Sequence, residues 1–272
     1  MKFTTLGALT ILSLAFTGCV STTSMGTVGS DRKQLMIIPE SVWNNAANRS
    51  FNKFEKKAKN KSVYLVDPRL DKIMARLIPH ANDYLVDNRK KINWKINGNL
   101  SSKLNAHSFP SGQIVVNTAV YLFEDLSDDE LATLISHEMA HIIRSHSREK
   151  ASVYAATNLS LMGATMGVGY GLSVASSLGG NYGVNSSHSR HLEEEADIIG
   201  LDLMVRAGFD HTATLSFWDK FEAKLSKRNV DSKIPTFLSS HPTSAQRKSV
   251  LKQHIMTIDL QTTQPSIYTA KN

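Results

Sequence analysis

The run Leu134-Ile135-Ser136-His137-Glu138-Met139-Ala140-His141-Ile142-Ile143 sets two histidines and a glutamate inside an apolar stretch, and it constrains the fold more than any other segment. Four residues carry an α-helix about 40° past one full turn, so the imidazoles of His137 and His141 share a face and can reach one Zn²⁺ at roughly 2.0–2.1 Å. Glu138, about 100° further round, is positioned to act as general base on an attacking water. Leu134, Ile135, Ile142 and Ile143 put this helix in a core, where unpaired polar side chains are costly. The capping box Ser127-Asp-Asp-Glu130 starts the helix, which is expected to run to about Lys150.

A zinc held by two histidines needs a third protein ligand and an open fourth position. On a continuous helix His146, nine residues after His137, points about 180° away, so it is expected at the surface. Leu192-Glu193-Glu194-Glu195-Ala196-Asp197, in a helix expected over about 190–207 and closed by Gly208, supplies carboxylates. Glu193 and Asp197 share a helix face, so one can bind the metal while the other orients a ligand histidine; Glu193 is read as the ligand and Asp197 as the orienting acid. Glu194 and Glu195 are expected as first-turn acids that complement the helix dipole.

The chain holds one cysteine, Cys19, which excludes a disulfide framework and a cysteine-based zinc cluster. It follows Lys2, an uncharged run through Phe16 and the small pair Thr17-Gly18, and resembles a bacterial lipobox. The expected organisation is a lipoprotein signal peptide over 1–18, the acylated Cys19 and a Ser/Thr/Gly-rich tether over 19–38, a folded domain over 39–258 and a frayed tail over 259–272. The apolar run falls short of the roughly 20 residues that span a bilayer, and Val20 after the cysteine favours the outer membrane. Lys+Arg number 31 against 24 Asp+Glu, but the basic groups are dispersed and not interleaved with aromatics. That pattern argues against a nucleic-acid partner and leaves lipid headgroups as a use for the charge.

Helical stripes are read at Trp43, Ala47, Phe51 or Phe54 and Ala58, and at Leu70, Ile73, Met74, Leu77 and Ile78. Strands are expected at 92–96, ending in an Asn97-Gly98 turn, and at 113–117. Two further helices are expected at 211–228 and 242–256. Residues 151–189 carry no Asp, Glu, Lys or Arg, and their Gly/Ser-rich part, 167–187, is read as a lid.

Three blocks occur in order: His137-Glu138-x-x-His141, Ser189-Arg190-x-x-Glu193-x-Glu195-Ala196-Asp197-x-x-Gly200, and His241-Pro242-Thr-Ser-Ala-Gln-Arg247. Together they resemble the HtpX-like zinc metallopeptidases, a family that includes the CAAX prenyl proteases and small bacterial lipoprotein proteases. With no long apolar span after residue 19, the chain is similar to the lipoprotein branch. The resemblance implies an α+β, zincin-like (gluzincin) fold, mainly helical, with a small twisted sheet above the active-site helix. It implies one Zn²⁺ per chain on His137, His141 and Glu193, with Glu138 as catalytic base. His241 and Arg247 would donate to the oxyanion, or His241 would be a fourth zinc ligand at rest. Gln113, Ile114, Val115 and Val116 would form an edge strand to which an extended peptide adds. The implied activity is that of an endopeptidase, lipid-anchored to the bacterial outer membrane through Cys19 and facing the periplasm. Its substrates would be unfolded or misassembled envelope polypeptides, and the outer-membrane assembly machinery is a candidate partner. A scaffold lipoprotein that holds such partners without turnover, or a zinc esterase or amidase acting on cell-wall peptide, would use the same metal residues.

Overall fold

Local chemistry sets the first two long helices. Pro39 immediately precedes helix α1, Glu40–Asn60, whose buried stripe is Trp43, Ala47, Phe51 and Ala58. Helix α2, Pro68–Asp83, has proline at its first position, and the Asp67 carboxylate accepts from the Arg69 N–H at 2.9 Å. Its inward face is Leu70, Ile73, Met74, Leu77 and Ala81. The computed structural model describes residues 19–23, 28, 32–86, 92–122, 126–162, 187–227, 241 and 245–263. The expected signal peptide, residues 167–186 of the expected lid and residues 264–272 of the expected tail lie outside the described residues; Ser187 opens a helix, and residues 259–263, expected to fray, are helical.

The strands are β1 (Cys19–Val20), β2 (Gln34–Leu35), β3 (Tyr64–Leu65), β4 (Lys95–Asn99), β5 (Ala106–Ser108) and β6 (Gln113–Asn117). After β6 come α3 (Thr118–Tyr121), α4 (Asp128–Ile143), α5 (His146–Met162), α6 (Ser187–Arg206), α7 (Ala213–Lys227) and α8 (Ala245–Thr263). The mainly helical α+β architecture is as expected. A four-stranded mixed sheet runs β3-β4-β6-β5, with β4 and β6 parallel and Ile96 opposite Ile114. Helix α4 packs against β5 and β6 of this sheet and against α2, α6 and α7. Leu192, Ala196, Ile199 and Leu203 of α6 are fully buried, as their spacing requires. Among the described residues no helix is long and apolar enough to cross a membrane.

Several expectations change. Asn97-Gly98 is not a turn but lies inside β4. A side chain at position 98 would run into the Tyr121 hydroxyl and stand 3.1 Å from the Leu65 Cβ, so this glycine permits a close approach. Gln113–Val116 is not an edge: β6 is flanked by β4 and β5, and all its residues are buried. A tight return, with the Phe109 N–H donating to the Gln113 carbonyl at 2.7 Å, lays β5 along β6, so that among the described residues β5 and β3 are the two edge strands.

The long helix also divides. Its capping box forms, with Ser127 and Glu130 exchanging side-chain and backbone bonds. Helix α4 then stops at Ile143, Ser145 takes a left-handed φ of 50°, and α5 restarts at His146. Finally, part of the segment expected as a tether is packed on the body. β1 pairs antiparallel with β2, and Thr22, Thr23 and Gln34 are buried.

Candidate metal centre

Close packing of α4 on α6 builds the site. A Cβ at Gly200 would sit 3.1 Å from the His137 backbone nitrogen and 3.2 Å from the Ser136 Oγ, so glycine there lets α6 close on α4 beside His137. Two turns earlier on α6, Glu193 is brought to both histidines. The Nε2 atoms of His137 and His141 are 3.1 Å apart. His137 Nε2 is 3.4 Å from Glu193 Oε2, and His141 Nε2 is 3.6 Å from Glu193 Oε1. His241 closes the group, its Nδ1 being 3.3 Å from His137 Nε2 and 2.9 Å from Glu193 Oε2.

These four side chains fit a zinc ion. Ligands 2.0–2.1 Å from a tetrahedral zinc stand about 3.3 Å from one another, close to the spacings observed. Glu193 Oε1 is buried and, among the described residues, has no hydrogen-bond donor, which suits an atom that would face a cation. Charge agrees with geometry. Burial opposes protonation of His137, yet the carboxylates of Asp197 and Glu193 hold its pKa up to about 9. His141 is pushed well below the usual imidazole range, by burial first. Although burial acts the other way, the surrounding histidines hold Glu193 well below the usual carboxylate range. The carboxylates thus favour positive charge at His137, whereas burial favours the neutral, ligand-competent form of His141.

Both histidines of α4 are backed by other groups. Asp197 Oδ1 lies 3.0 Å from His137 Nδ1, an ion-pair approach with imperfect hydrogen-bond angles. Arg247 grips the same carboxylate twice, Nε to Oδ2 at 2.7 Å and Nη2 to Oδ1 at 2.8 Å, while its Nη1 is 3.6 Å from Glu193 Oε2. The guanidinium is thus turned onto Asp197 and Glu193 and holds both carboxylates. Its face lies over Trp218, which also packs edge-on against His137.

His146 is the residue most misjudged from sequence. It is 1% exposed, and its Nδ1 is 2.8 Å from His141 Nδ1. The α4/α5 break at Ser145 resets the helical phase, so the rotation expected from a continuous helix does not apply. Glu195, expected as a dipole-complementing acid, is also buried and lies 3.0 Å from His146 Nε2. Helix α6 starts at Ser187, which takes Glu195 beyond the first turn. The only sequence signal for this pair was polar residues at positions the core needed filled.

Glu138 is buried beside the cluster. Its Oε1 makes no hydrogen bond and stands 3.3 Å from His241 Nε2. On β5, the half-buried His107 imidazole has its pKa lowered by desolvation, partly countered by the charge of Glu138.

Comparison with known proteins agrees with this architecture. The profile of Peptidase family M48 matches residues 65–255, which include all four residues of the cluster. The mitochondrial metalloendopeptidase OMA1 of Homo sapiens is 28% identical over 238 residues, covering 82% of this chain and 44% of the relative. The OMA1 protein of Saccharomyces cerevisiae is 29% identical over 190 residues, 66% of this chain and 53% of the relative. The beta-barrel assembly-enhancing protease of Escherichia coli K12 is 24% identical over 199 residues, 67% of this chain and 37% of the relative. The chain spans about half or less of the length of these relatives.

Proposed function

The chain belongs to Peptidase family M48, and from that premise we propose that it is a zinc-dependent endopeptidase of the bacterial envelope, acting on unfolded or misassembled envelope proteins. The observation that carries this reading is the convergence of His137, His141, Glu193 and His241 on one point, with the buried Glu138 carboxylate alongside, 3.3 Å from His241 Nε2. When bound, zinc would act as a Lewis acid on the scissile carbonyl. Glu138 takes a proton from the attacking water and returns it to the leaving amine. His137, His141 and Glu193 would hold the metal, and Asp197, pinned by Arg247, would keep the His137 ring turned toward it. His241, its Nδ1 2.9 Å from Glu193 Oε2, would be a fourth residue able to hold the metal.

Substrate enters as an added strand. The free edge nearest α4 is β5, so the main chain of Ala106–Ser108 takes the role first given to Gln113–Val116. The name of the Escherichia coli relative, which describes enhancement of β-barrel assembly, supports envelope polypeptides as substrates and the assembly machinery as a partner. The lipobox-like sequence ending at Cys19 supports a lipid anchor in the outer membrane, with the domain facing the periplasm. The test is incubation of the purified protein with an unfolded polypeptide. Cleavage should stop with chelator and return with zinc; cleavage indifferent to chelator would overturn the proposal.

A further inference from the structure

The two ring nitrogens of His141 face different groups. Nε2 points into the metal cluster, 3.1 Å from His137 Nε2, and Nδ1 meets His146 Nδ1 at 2.8 Å. On the proposed site, a metal would take the Nε2 lone pair, which leaves the proton of a neutral His141 on Nδ1. His146 Nδ1 must then accept, so its own proton sits on Nε2 and donates to Glu195 Oε2 at 3.0 Å. One arrangement of protons satisfies every contact, running from the carboxylate through His146 to the metal ligand.

Glu195 is itself held from two sides. Arg144 Nη2 lies 2.7 Å from its Oε1, and Arg32 Nη2 donates to its Oε2 at 2.7 Å. Arg32 also pairs through both terminal nitrogens with Glu149, to which Gln34 donates at 2.7 Å. Arg144 reaches the same N-terminal segment, donating to Thr23 Oγ1 and to the Arg32 carbonyl at 2.8 Å each. Two carboxylates and two guanidiniums balance in a cluster buried except at Arg32, whose side chain is 35% exposed and which comes from the segment just before β2. Paired, such groups fix one geometry; removing one partner leaves another charge uncompensated.

We propose that His146 is a positioning residue for the metal ligand His141, and that the N-terminal segment completes the positioning by holding Glu195 through Arg32. This rests on the metal reading of the cluster above. Its consequence is that the stretch joining the anchor to the domain is part of the support of the zinc site.

The test measures zinc affinity by chelator competition on the purified full chain, together with the visible absorption of the cobalt-substituted protein. Neither readout depends on peptide cleavage. His146→Leu should weaken zinc binding about 10- to 100-fold and alter the cobalt spectrum. His146→Gln, whose amide can accept from His141 and donate to Glu195, should recover most of the affinity. Arg32→Gln, at the more exposed end, should weaken zinc binding at least threefold, and it decides the matter if His146→Leu does not fold. A folded His146→Leu within twofold of wild type, or an Arg32→Gln indistinguishable from it when the leucine variant does not fold, would overturn the proposal. Failure of the wild-type chain to bind zinc would instead remove the metal reading itself, and this inference with it.

Discussion

Replacing Arg247 by methionine tests whether the guanidinium supports the site from behind. The residue is 3% exposed and makes two charge-assisted bonds to Asp197, at 2.7 and 2.8 Å, with Glu193 at 3.6 Å from its third nitrogen. The substitution keeps most of the volume but leaves two buried carboxylates short of positive charge. Breaking a buried pair in this way costs about 3–5 kcal/mol. At about 2–4 °C per kcal/mol for a domain of this size, the metal-free protein should melt about 6–20 °C lower. Zinc affinity should also fall about 10- to 100-fold, because Asp197 no longer holds the His137 ring. The assay is thermal unfolding by circular dichroism with chelator present, then chelator competition for zinc. Asp197→Asn together with Arg247→Met should be less destabilised than the sum of the singles, since the neutral amide removes much of the uncompensated charge. A melting shift below about 3 °C, or strict additivity in the double variant, would refute the reasoning.

Other consequences are as direct. Truncating His241 to alanine removes one of the four residues that could hold the metal, so on the resting-ligand reading cleavage of a short unstructured peptide should speed up while zinc is lost more readily; a large fall in rate with zinc retained would make His241 an oxyanion donor instead. In the metal-free protein His137 keeps its proton at pH 7 because its pKa is raised to about 9, and metal binding requires that lone pair. Zinc uptake at pH 7 should therefore release about one proton, measured by calorimetry in buffers of different ionisation enthalpy; no release would contradict the pairing of His137 with Asp197 and Glu193. Palmitate labelling in a bacterial host should disappear in Cys19→Ala, and persistence would sink the anchor.

Periodic features were legible from sequence and non-local ones were not. The stripes of α1 and α2, the Ser127–Glu130 capping box and strand 113–117 each depend on neighbours a few residues away, and each is present. The position of β6 in its sheet depends on β5 folding back beside it, which no alternation pattern encodes. Gly98 carried a turn signal but serves contact with Tyr121 and Leu65, which are distant in sequence. Two of the metal residues share one helix, so spacing alone brought them together. His146 was lost to a break at Ser145, a residue type that gives no warning of a left-handed turn. The Ser/Thr-rich N-terminal segment read as solvated chain because its polar groups are satisfied by Arg144 and Glu149, more than 100 residues away.

The most direct test of zinc-dependent peptide hydrolysis compares wild type and Glu138→Gln at matched zinc content, with cut sites in an unfolded substrate mapped by mass spectrometry. The amide should bind zinc as the carboxylate does but cannot accept the water's proton, so the wild type should give discrete cuts and the variant essentially none. Equal cutting by a zinc-loaded Glu138→Gln would contradict the role of Glu138 and, with it, the assignment of this cluster as a hydrolytic centre.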